Sequence, residues 1–229
     1  MSVFLYLLLA HLVADFVLQP YELVRLKTRP IGLLIHVAIH SVLTAVLVAP
    51  FMPGWPWIVP MLGAVHYVID YAKVSSRATD GPASFVVFVA DQLAHLAVLA
   101  VIAALAGIPL RTTVSLGPPA LSAALYYAVP YVSVTFAGAV VLYQLAHAYR
   151  TRPAPEELLM PGPRVAGYVE RGLLLTGFLF LTPVFWWIGA VWYALRFGLS
   201  RGKGRWVETA ASLLLTAGLA LLFRLGSTT

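Results

Sequence analysis

Four apolar stretches of this chain each carry two polar residues that are spaced four positions apart. In an α-helix, residues i and i+4 lie one above the other on one face, so each stretch presents two ligand-type side chains in one direction. The pairs are His11 with Asp15, His36 with His40, His66 with Asp70, and Asp91 with His95. The pattern predicts four apolar helices, each of which carries one pair of candidate metal ligands.

The four pairs also repeat along the chain. Adding 55 to positions 11, 15, 36 and 40 gives positions 66, 70, 91 and 95. The offset predicts a duplicated helical hairpin, with copies at residues 3–49 and 57–105, within a first domain of residues 1–107. Residues 108–229 are predicted to form further membrane helices. Because the repeated unit holds two spans, its copies are expected to point the same way across the membrane.

Composition places the chain in a membrane. Of its 229 residues, 61% are apolar and only 10% are charged, and its apolar runs are long enough to cross a lipid core of roughly 30 Å. The first apolar run has no basic residue before it and carries His11 and Asp15, so we expect a membrane helix rather than a cleaved signal peptide. The chain has no cysteine, which leaves only nitrogen and oxygen ligands for any metal.

The predicted fold is an all-α, polytopic membrane helix bundle with about six full spans. We place these spans at residues 3–18, 31–49, 57–71, 84–105, 120–147 and 206–223, with proline and glycine clusters at most of the breaks. The segment 165–197 is too long for one upright helix and is divided by Thr182 and Pro183. It forms either a hairpin of two short helices, which we favour, or a single kinked helix.

The basic residues of the loops predict the orientation. The net charge is +6, but the basic residues lie in short loops between apolar runs, which argues against nucleic-acid binding. The loops after the first, third and fifth spans carry Arg25, Lys27, Arg29, Lys73, Arg77, Arg150, Arg152 and Arg164. By the positive-inside rule these loops are cytoplasmic and the N-terminus is outside. All eight paired residues then share one layer in the cytoplasmic half.

Three carboxylates at membrane depth need compensating charge, because the insertion of one Asp costs on the order of 2.5 to 3.5 kcal/mol. Five imidazoles and three carboxylates suit one or two divalent metal ions, with zinc first and manganese or iron possible. The alternative is a hydrogen-bonded network between helices, or a proton path, without metal. The repeated pairs at one predicted depth favour the metal site.

Further polar residues are candidates for supporting roles. Gln19 stands one turn beyond Asp15, Gln92 adjoins Asp91, and Lys73 follows Asp70 by three positions, so these side chains are expected to contact the ligands or anchor the helices at the interface. Near the predicted cytoplasmic mouth, Glu170 and Arg171 can pair with groups such as Arg196 and Glu208. These residues serve either structural ion pairs or substrate contact.

Several strings resemble a known bacterial membrane family. They are AHLVADFVLQP, HVAIH, HYVIDYAK and DQLAHL, together with GYVER near residue 170. The first four, over residues 8–100, resemble the family called domain of unknown function 3307, and GYVER resembles a second block of its longer members. The resemblance implies a family role for Gln19 and for the eight paired residues. A looser similarity is to inner-membrane metal-dependent hydrolases, which also place His and Asp in apolar helices.

The function favoured by these features is a metal-dependent hydrolase that acts from the cytoplasmic leaflet on a phosphoester or a lipid-linked substrate. In this hypothesis Asp15, Asp70 and Asp91 are catalytic or bridge the metal, the histidines ligate it, and Arg171 or Arg196 holds a phosphate. Membrane lipids are the expected surroundings. A metal or proton transporter is one alternative, and an accessory membrane subunit with a structural metal is another.

Overall fold

The structure is a computed structural model that describes residues 2–52, 54–76, 81–106, 118–149, 161–180, 184–201 and 206–227. Within these ranges the regular secondary structure is helical and there is no strand. The prediction of an all-α chain is therefore confirmed for the described residues. Thr182 and Pro183, where the sequence predicts a break, lie outside them.

Apart from the short helix Tyr21–Leu26, which lies in a predicted loop, the helices follow the predicted apolar runs. Their bounds are α1 Val3–Leu12, α2 Tyr21–Leu26, α3 Pro30–Val48, α4 Trp55–Ser75, α5 Gly81–Leu105, α6 Pro119–Val132, α7 Gly138–Tyr149, α8 Pro161–Phe180, α9 Val184–Arg201 and α10 Trp206–Ser227. Two π-helical turns, Val13–Val17 and Ser133–Ala137, continue α1 and join α6 to α7. Local signals mark the starts: the Ser2 hydroxyl accepts from the Leu5 amide at the start of α1, and Pro30 occupies the first turn of α3.

Four segments are long and apolar enough to cross a membrane. They are Pro30–Val48, Gly81–Leu105, Pro119–Tyr149 and Trp206–Leu225. Val3–Val17 and Val184–Leu199 are shorter apolar helices. The chain is thus a helical protein of membrane type, and the larger number of spans and the duplicated hairpin remain predictions.

The chain divides into two compact units. The first contains residues 1–79 and 86–129, and the second contains residues 80–85 and 130–229. In the first unit, α3 packs against both α1 and α4. Its apolar core consists of Val3, Tyr6, Leu7, Val48, Met52, Val59, Leu62, Leu99, Ile102 and Ala103. This core packs the ends of α1, α3, α4 and α5 that lie away from the basic segments at residues 25–29 and 73.

In the second unit, α8 and α9 form an antiparallel pair. The Phe178 ring stacks on Trp186 at 4.4 Å between centroids, and farther along both helices Trp192 Nε1 donates to Glu170 Oε1 at 3.0 Å. The α8 helix has 20 residues and α9 has 18, so each is about 27 to 30 Å long. They are longer than the short helices predicted within 165–197, because α8 already begins at Pro161 and α9 continues to Arg201.

Candidate metal centre

The eight paired residues meet in one buried cluster of the first unit. The α1 helix and its π-turn contribute His11 and Asp15, α3 contributes His36 and His40, α4 contributes His66 and Asp70, and α5 contributes Asp91 and His95. Seven of them are buried, and the Asp15 side chain is only 9% exposed. Each helix presents its polar pair inward because i, i+4 spacing keeps both side chains on one face.

A π-helical turn places Asp15. The Leu18 amide donates to the Val13 carbonyl at 2.8 Å, five residues back, so the helix is locally wider than the regular one that the sequence predicts. Asp15 Oδ1 lies 2.8 Å from His40 Nε2 and 3.0 Å from His36 Nε2. Its other oxygen is 3.6 Å from His11 Nε2. One carboxylate therefore reaches imidazoles of both α1 and α3.

Asp70 links α4 to α3 and to Lys27, which directly follows α2. Its Oδ2 lies 3.4 Å from His36 Nε2 and 3.5 Å from His66 Nε2. The same oxygen is 2.7 Å from the Lys27 ammonium. Asp70 is thus both a candidate ligand and the partner of a buried cation.

Asp91 has a different environment. Its Oδ2 accepts from Lys73 Nζ at 2.6 Å and from Gln92 Nε2 at 3.0 Å. Gln92 Nε2 also lies 3.3 Å from Asp15 Oδ2. The Gln92 amide therefore links two of the three carboxylates of the cluster.

Six of the eight residues fall into two groups whose ligand atoms all lie within 4.8 Å of one another. The first group is Asp15, His36, His40 and His66, and the second is His66, Asp70 and His95. Ligands about 2.0 to 2.1 Å from a metal are about 2.9 Å apart at right angles and about 3.3 Å apart in a tetrahedron. Within the two groups, the distances between carboxylate oxygens and imidazole nitrogens are 2.8, 3.0 and 3.5 Å, a range that includes both values. These buried groups could hold a metal ion, and His11 and Asp91 belong to neither group.

Four histidines present ring nitrogens that lack a hydrogen-bond partner among the described residues. These buried atoms are Nε2 of His11, His36, His66 and His95, together with Nδ1 of His36. His95 Nδ1 lies 2.9 Å from the Asp91 backbone carbonyl, and because a carbonyl oxygen only accepts, Nδ1 carries the hydrogen of the neutral ring. Nε2 then presents a lone pair to the cluster, which is the arrangement of a metal-binding histidine whose other nitrogen is fixed by a hydrogen bond.

A small cavity borders the imidazoles on the side of the apolar core. Four of its lining residues are His11, His40, His66 and His95, and the remainder are mostly apolar side chains such as Leu7, Leu62 and Leu99 with the hydroxyls of Ser41 and Thr44. The carboxylates and their lysines lie on the opposite side of the rings. The cluster therefore has a charged side and a nearly apolar side.

Lys27 is a site residue that the sequence pattern does not indicate. Its place after the first span suggests a solvated loop charge, yet its side chain is only 9% exposed and its Nζ also donates to Gln19 Oε1 at 3.1 Å. Gly32 is the one residue of the sequence that indicates this inward position of Lys27. A Cβ at residue 32 would lie 2.1 Å from the Leu26 carbonyl oxygen and 2.6 Å from the Lys27 nitrogen. Only glycine allows the chain to turn back this closely.

Two expectations about supporting residues change. Lys73 was expected to contact Asp70, three positions before it, but it pairs with Asp91 of the neighbouring helix. Gln19 was expected beside Asp15, and its side-chain oxygen accepts from Lys27 Nζ. In both cases the partner, Lys27 after α2 or Asp91 of α5, comes from another part of the chain. Residue spacing within one helix cannot predict such a contact.

The second unit contains the remaining candidates. Arg196 forms ion pairs with Glu170 and, at 2.7 Å, with Glu208. Arg171 is buried, and its guanidinium donates to the carbonyl oxygens of Val134 at 2.6 Å and Thr135 at 3.2 Å, in the second π-turn. The contacts of Arg171 are therefore with the backbone, where the sequence suggested carboxylates or a phosphate.

Comparison with known proteins gives a family without an assigned activity. The family model described as "Protein of unknown function (DUF3307)" matches residues 3–117, which include all eight residues of the cluster. No curated protein and no solved structure matches the chain. The match covers half of the chain and confirms the resemblance of the four histidine- and aspartate-containing strings. The chain belongs to the DUF3307 family.

Proposed function

We propose that the cluster is a membrane-embedded centre for one divalent transition-metal ion and that the protein is a metal-dependent hydrolase. The observation that carries the metal site is the first ligand group, in which Asp15 Oδ1 lies 2.8 and 3.0 Å from two imidazole nitrogens and His66 completes a set of four donors within 4.8 Å. Imidazole and carboxylate donors suit zinc, manganese or iron.

Charge favours one ion over two. Lys27 pairs with Asp70 and Lys73 pairs with Asp91, so two ammonium groups compensate two of the three carboxylates. With neutral imidazoles, a single negative charge is left. One divalent ion would then leave one positive charge, which a hydroxide could neutralise, whereas a second ion would add two positive charges to a buried site at a high cost. The carboxylates alone, without the lysines, would favour two ions.

The cavity supports hydrolytic chemistry. A bound divalent metal supplies a hydroxide at neutral pH by lowering the pKa of its water to about 7. The cavity beside His11, His40, His66 and His95 has room for a water-sized group next to the ligands. Four protein ligands would complete the tetrahedral shell of zinc, whereas a six-coordinate manganese or iron ion keeps positions for water and substrate. The identity of the metal therefore decides whether the ion has a free position at which water and substrate can bind.

Orientation and substrate class are part of the proposal. The basic segment at residues 25–29 and Lys73 follow the helix ends nearest the carboxylates, and the positive-inside rule assigns such ends to the cytoplasm of a bacterial inner membrane. A site at this depth is reached from the cytoplasmic leaflet. Access from the cytoplasmic leaflet and a divalent metal ion together favour a phosphoester or another lipid-linked ester as the substrate class.

Transport is the second candidate, and one observation argues against it. Beyond the cavity, the first unit continues into the apolar core of Val3, Val48, Val59 and Ile102 with their neighbours. A cation that crosses the bilayer needs polar groups along its path, because charge in an apolar medium is costly. A hydrolase needs access from one side only, which this arrangement favours.

The test combines metal loading with activity. Metal-loaded wild-type protein in detergent is assayed on a panel of phosphoesters and carboxylic esters, including lipid-linked ones, beside His40→Ala, Asp15→Asn and the control His147→Ala. We expect cleavage of at least one class, loss of cleavage in the first two variants, and retention in the control, because His147 lies outside the cluster and stacks on Tyr143. Metal-loaded protein that cleaves no member of the panel contradicts the hydrolase. Metal- or proton-dependent flux in liposomes would favour a carrier.

A further inference from the structure

We propose that the Lys27 ammonium occupies a second metal position, and that its removal opens this position to a second divalent ion. The inference rests on the proposed metal centre and concerns the group formed by His66, Asp70 and His95. In the native chain the first group binds one metal, and Lys27 supplies the positive charge of the second position. His66 belongs to both groups, and its Nε2 can bind only one ion. When both positions are filled, His66 serves the second ion, and the first keeps Asp15, His36 and His40.

The second group is equipped as a ligand set. Its three ligand atoms lie within 4.8 Å of one another, and all three residues are at least nine-tenths buried. The Nε2 atoms of His66 and His95 make no hydrogen bond among the described residues. Buried polar atoms without partners are costly, so this arrangement favours a ligand between the rings and Asp70.

Lys27 is held in place by the fold. A lysine at a membrane interface ordinarily extends its ammonium toward water, but this side chain points inward and is 9% exposed. The Gln19 carbonyl oxygen accepts a second bond from Nζ at 3.1 Å. The close approach of Gly32 to Leu26 and Lys27 fixes the main chain behind it.

The ammonium and a metal compete for the same atom. Lys27 Nζ lies 2.7 Å from Asp70 Oδ2, the oxygen that also faces His36 and His66. A metal bound by this oxygen would lie about 2 Å from it, so the two cations cannot share the position without strong repulsion. Removal of Lys27 also takes away one positive charge, which lowers the electrostatic cost of a second divalent ion.

Lys73 provides the matched control. It forms an ion pair of similar length, 2.6 Å, with Asp91, but Asp91 belongs to neither ligand group and the Lys73 side chain is 31% exposed. Its removal changes the net charge of the cluster by the same amount and frees no ligand of the second group. A comparison of the two lysines separates direct competition for Asp70 from a general charge effect.

The experiment is metal stoichiometry in detergent. Wild type, Lys27→Met and Lys73→Met are saturated with Mn²⁺, dialysed, and analysed by elemental mass spectrometry. Electron paramagnetic resonance then distinguishes an isolated Mn²⁺ from an exchange-coupled pair, for which a separation of roughly 3.5 to 4 Å is typical. If Lys27→Met does not fold, Lys27→Gln replaces it, since its amide can still bond Gln19. We expect one ion in the wild type and in Lys73→Met, and a coupled pair in the Lys27 variant.

The outcomes separate the two proposals. A wild type with no bound metal contradicts the metal centre itself. One ion in the wild type and one in the Lys27 variant leaves the metal centre standing and overturns the role of Lys27. Two ions in the wild type overturn it as well, as does a second ion gained equally by Lys73→Met.

Discussion

At the scale of single residues, the three carboxylates of the cluster have different partners. Asp15 faces imidazoles, Asp70 faces imidazoles and a buried lysine, and Asp91 pairs with a partly exposed lysine and the Gln92 amide. In the sequence each of the three lies four positions from a histidine, so the spacing predicts the same role, that of a metal ligand, for all of them. The structure instead favours Asp15 as the first-choice metal ligand and Asp91 as a support.

This difference predicts opposite results for two conservative substitutions. Asp15→Asn keeps the size of the side chain but removes the charge that faces His36 and His40, so we expect metal affinity to fall by at least about 100-fold. Asp91→Asn leaves both ligand groups intact and should retain metal. Metal titration of the purified variants measures this. Equal losses in both variants would show that Asp91 is a ligand after all.

The sequence predicts the eight residues of the cluster, but it does not predict that the Lys27 ammonium lies beside them. Helical spacing identifies the eight residues because each pair lies within one segment, where i, i+4 geometry is local. The pairing of Lys27 with Asp70 depends on a turn after α1 that brings residues 27 and 70 together, and no local pattern reports such a contact. Gly32 was the available clue, but a glycine alone does not reveal which backbone approaches it.

At the scale of elements, the junction of α2 and α3 depends on Gly32. The α3 helix begins at Pro30, and two residues later its backbone touches the end of α2. We expect Gly32→Ala to separate the two elements and to lower the free energy of unfolding by about 1 to 3 kcal/mol. Thermal unfolding in detergent, followed by circular dichroism, measures the loss.

The control is Gly218→Ala in α10, where a Cβ meets nothing within 4 Å. Alanine is the better helix former by about 1 kcal/mol, so this variant should be neutral or slightly more stable. Equal stability of the Gly32 and Gly218 variants would show that the close approach is not required.

The second π-turn is held by Arg171 of α8. Its guanidinium bonds the carbonyls of Val134 and Thr135, and Arg171→Leu would leave both acceptors without these donors, at a cost of about 1 to 3 kcal/mol for each. We expect a lower unfolding temperature and unchanged metal content. The exposed Arg164 of the same helix supplies the comparison: Arg164→Leu should change neither quantity. Loss of substrate affinity in Arg171→Leu without loss of stability would instead indicate substrate contact.

Element boundaries followed the sequence where local signals exist. Apolar runs bounded by proline and glycine predicted α3, α4, α5 and α10 to within a few residues. The π-turns were not predicted, because a widened turn has no distinct residue pattern and is stabilised by tertiary partners such as Arg171. The lengths of α8 and α9 were underestimated because proline and glycine at residues 161–163, and glycine, serine and arginine at residues 198–201, are typical of loops.

At the scale of the whole molecule, the proposed orientation rests on loop charge, and the absence of cysteine makes it testable. Single cysteines are introduced at the exposed positions Thr28 and Pro50, on either side of α3. In intact spheroplasts we expect a membrane-impermeant maleimide to label Pro50→Cys and not Thr28→Cys, with both labelled after lysis. The reverse pattern would place the carboxylate side of the cluster outside the cell.

The proposed function depends first on whether the histidines and aspartates of the first unit bind a metal ion. Elemental analysis of purified wild type, His66→Ala and His147→Ala tests it most directly, because His66 belongs to both ligand groups and His147 to neither. We expect about one zinc, manganese or iron ion in the wild type and in His147→Ala, and at least about a tenfold loss in His66→Ala. A stable wild-type protein that binds no transition metal, or equal metal content in all three, would contradict it.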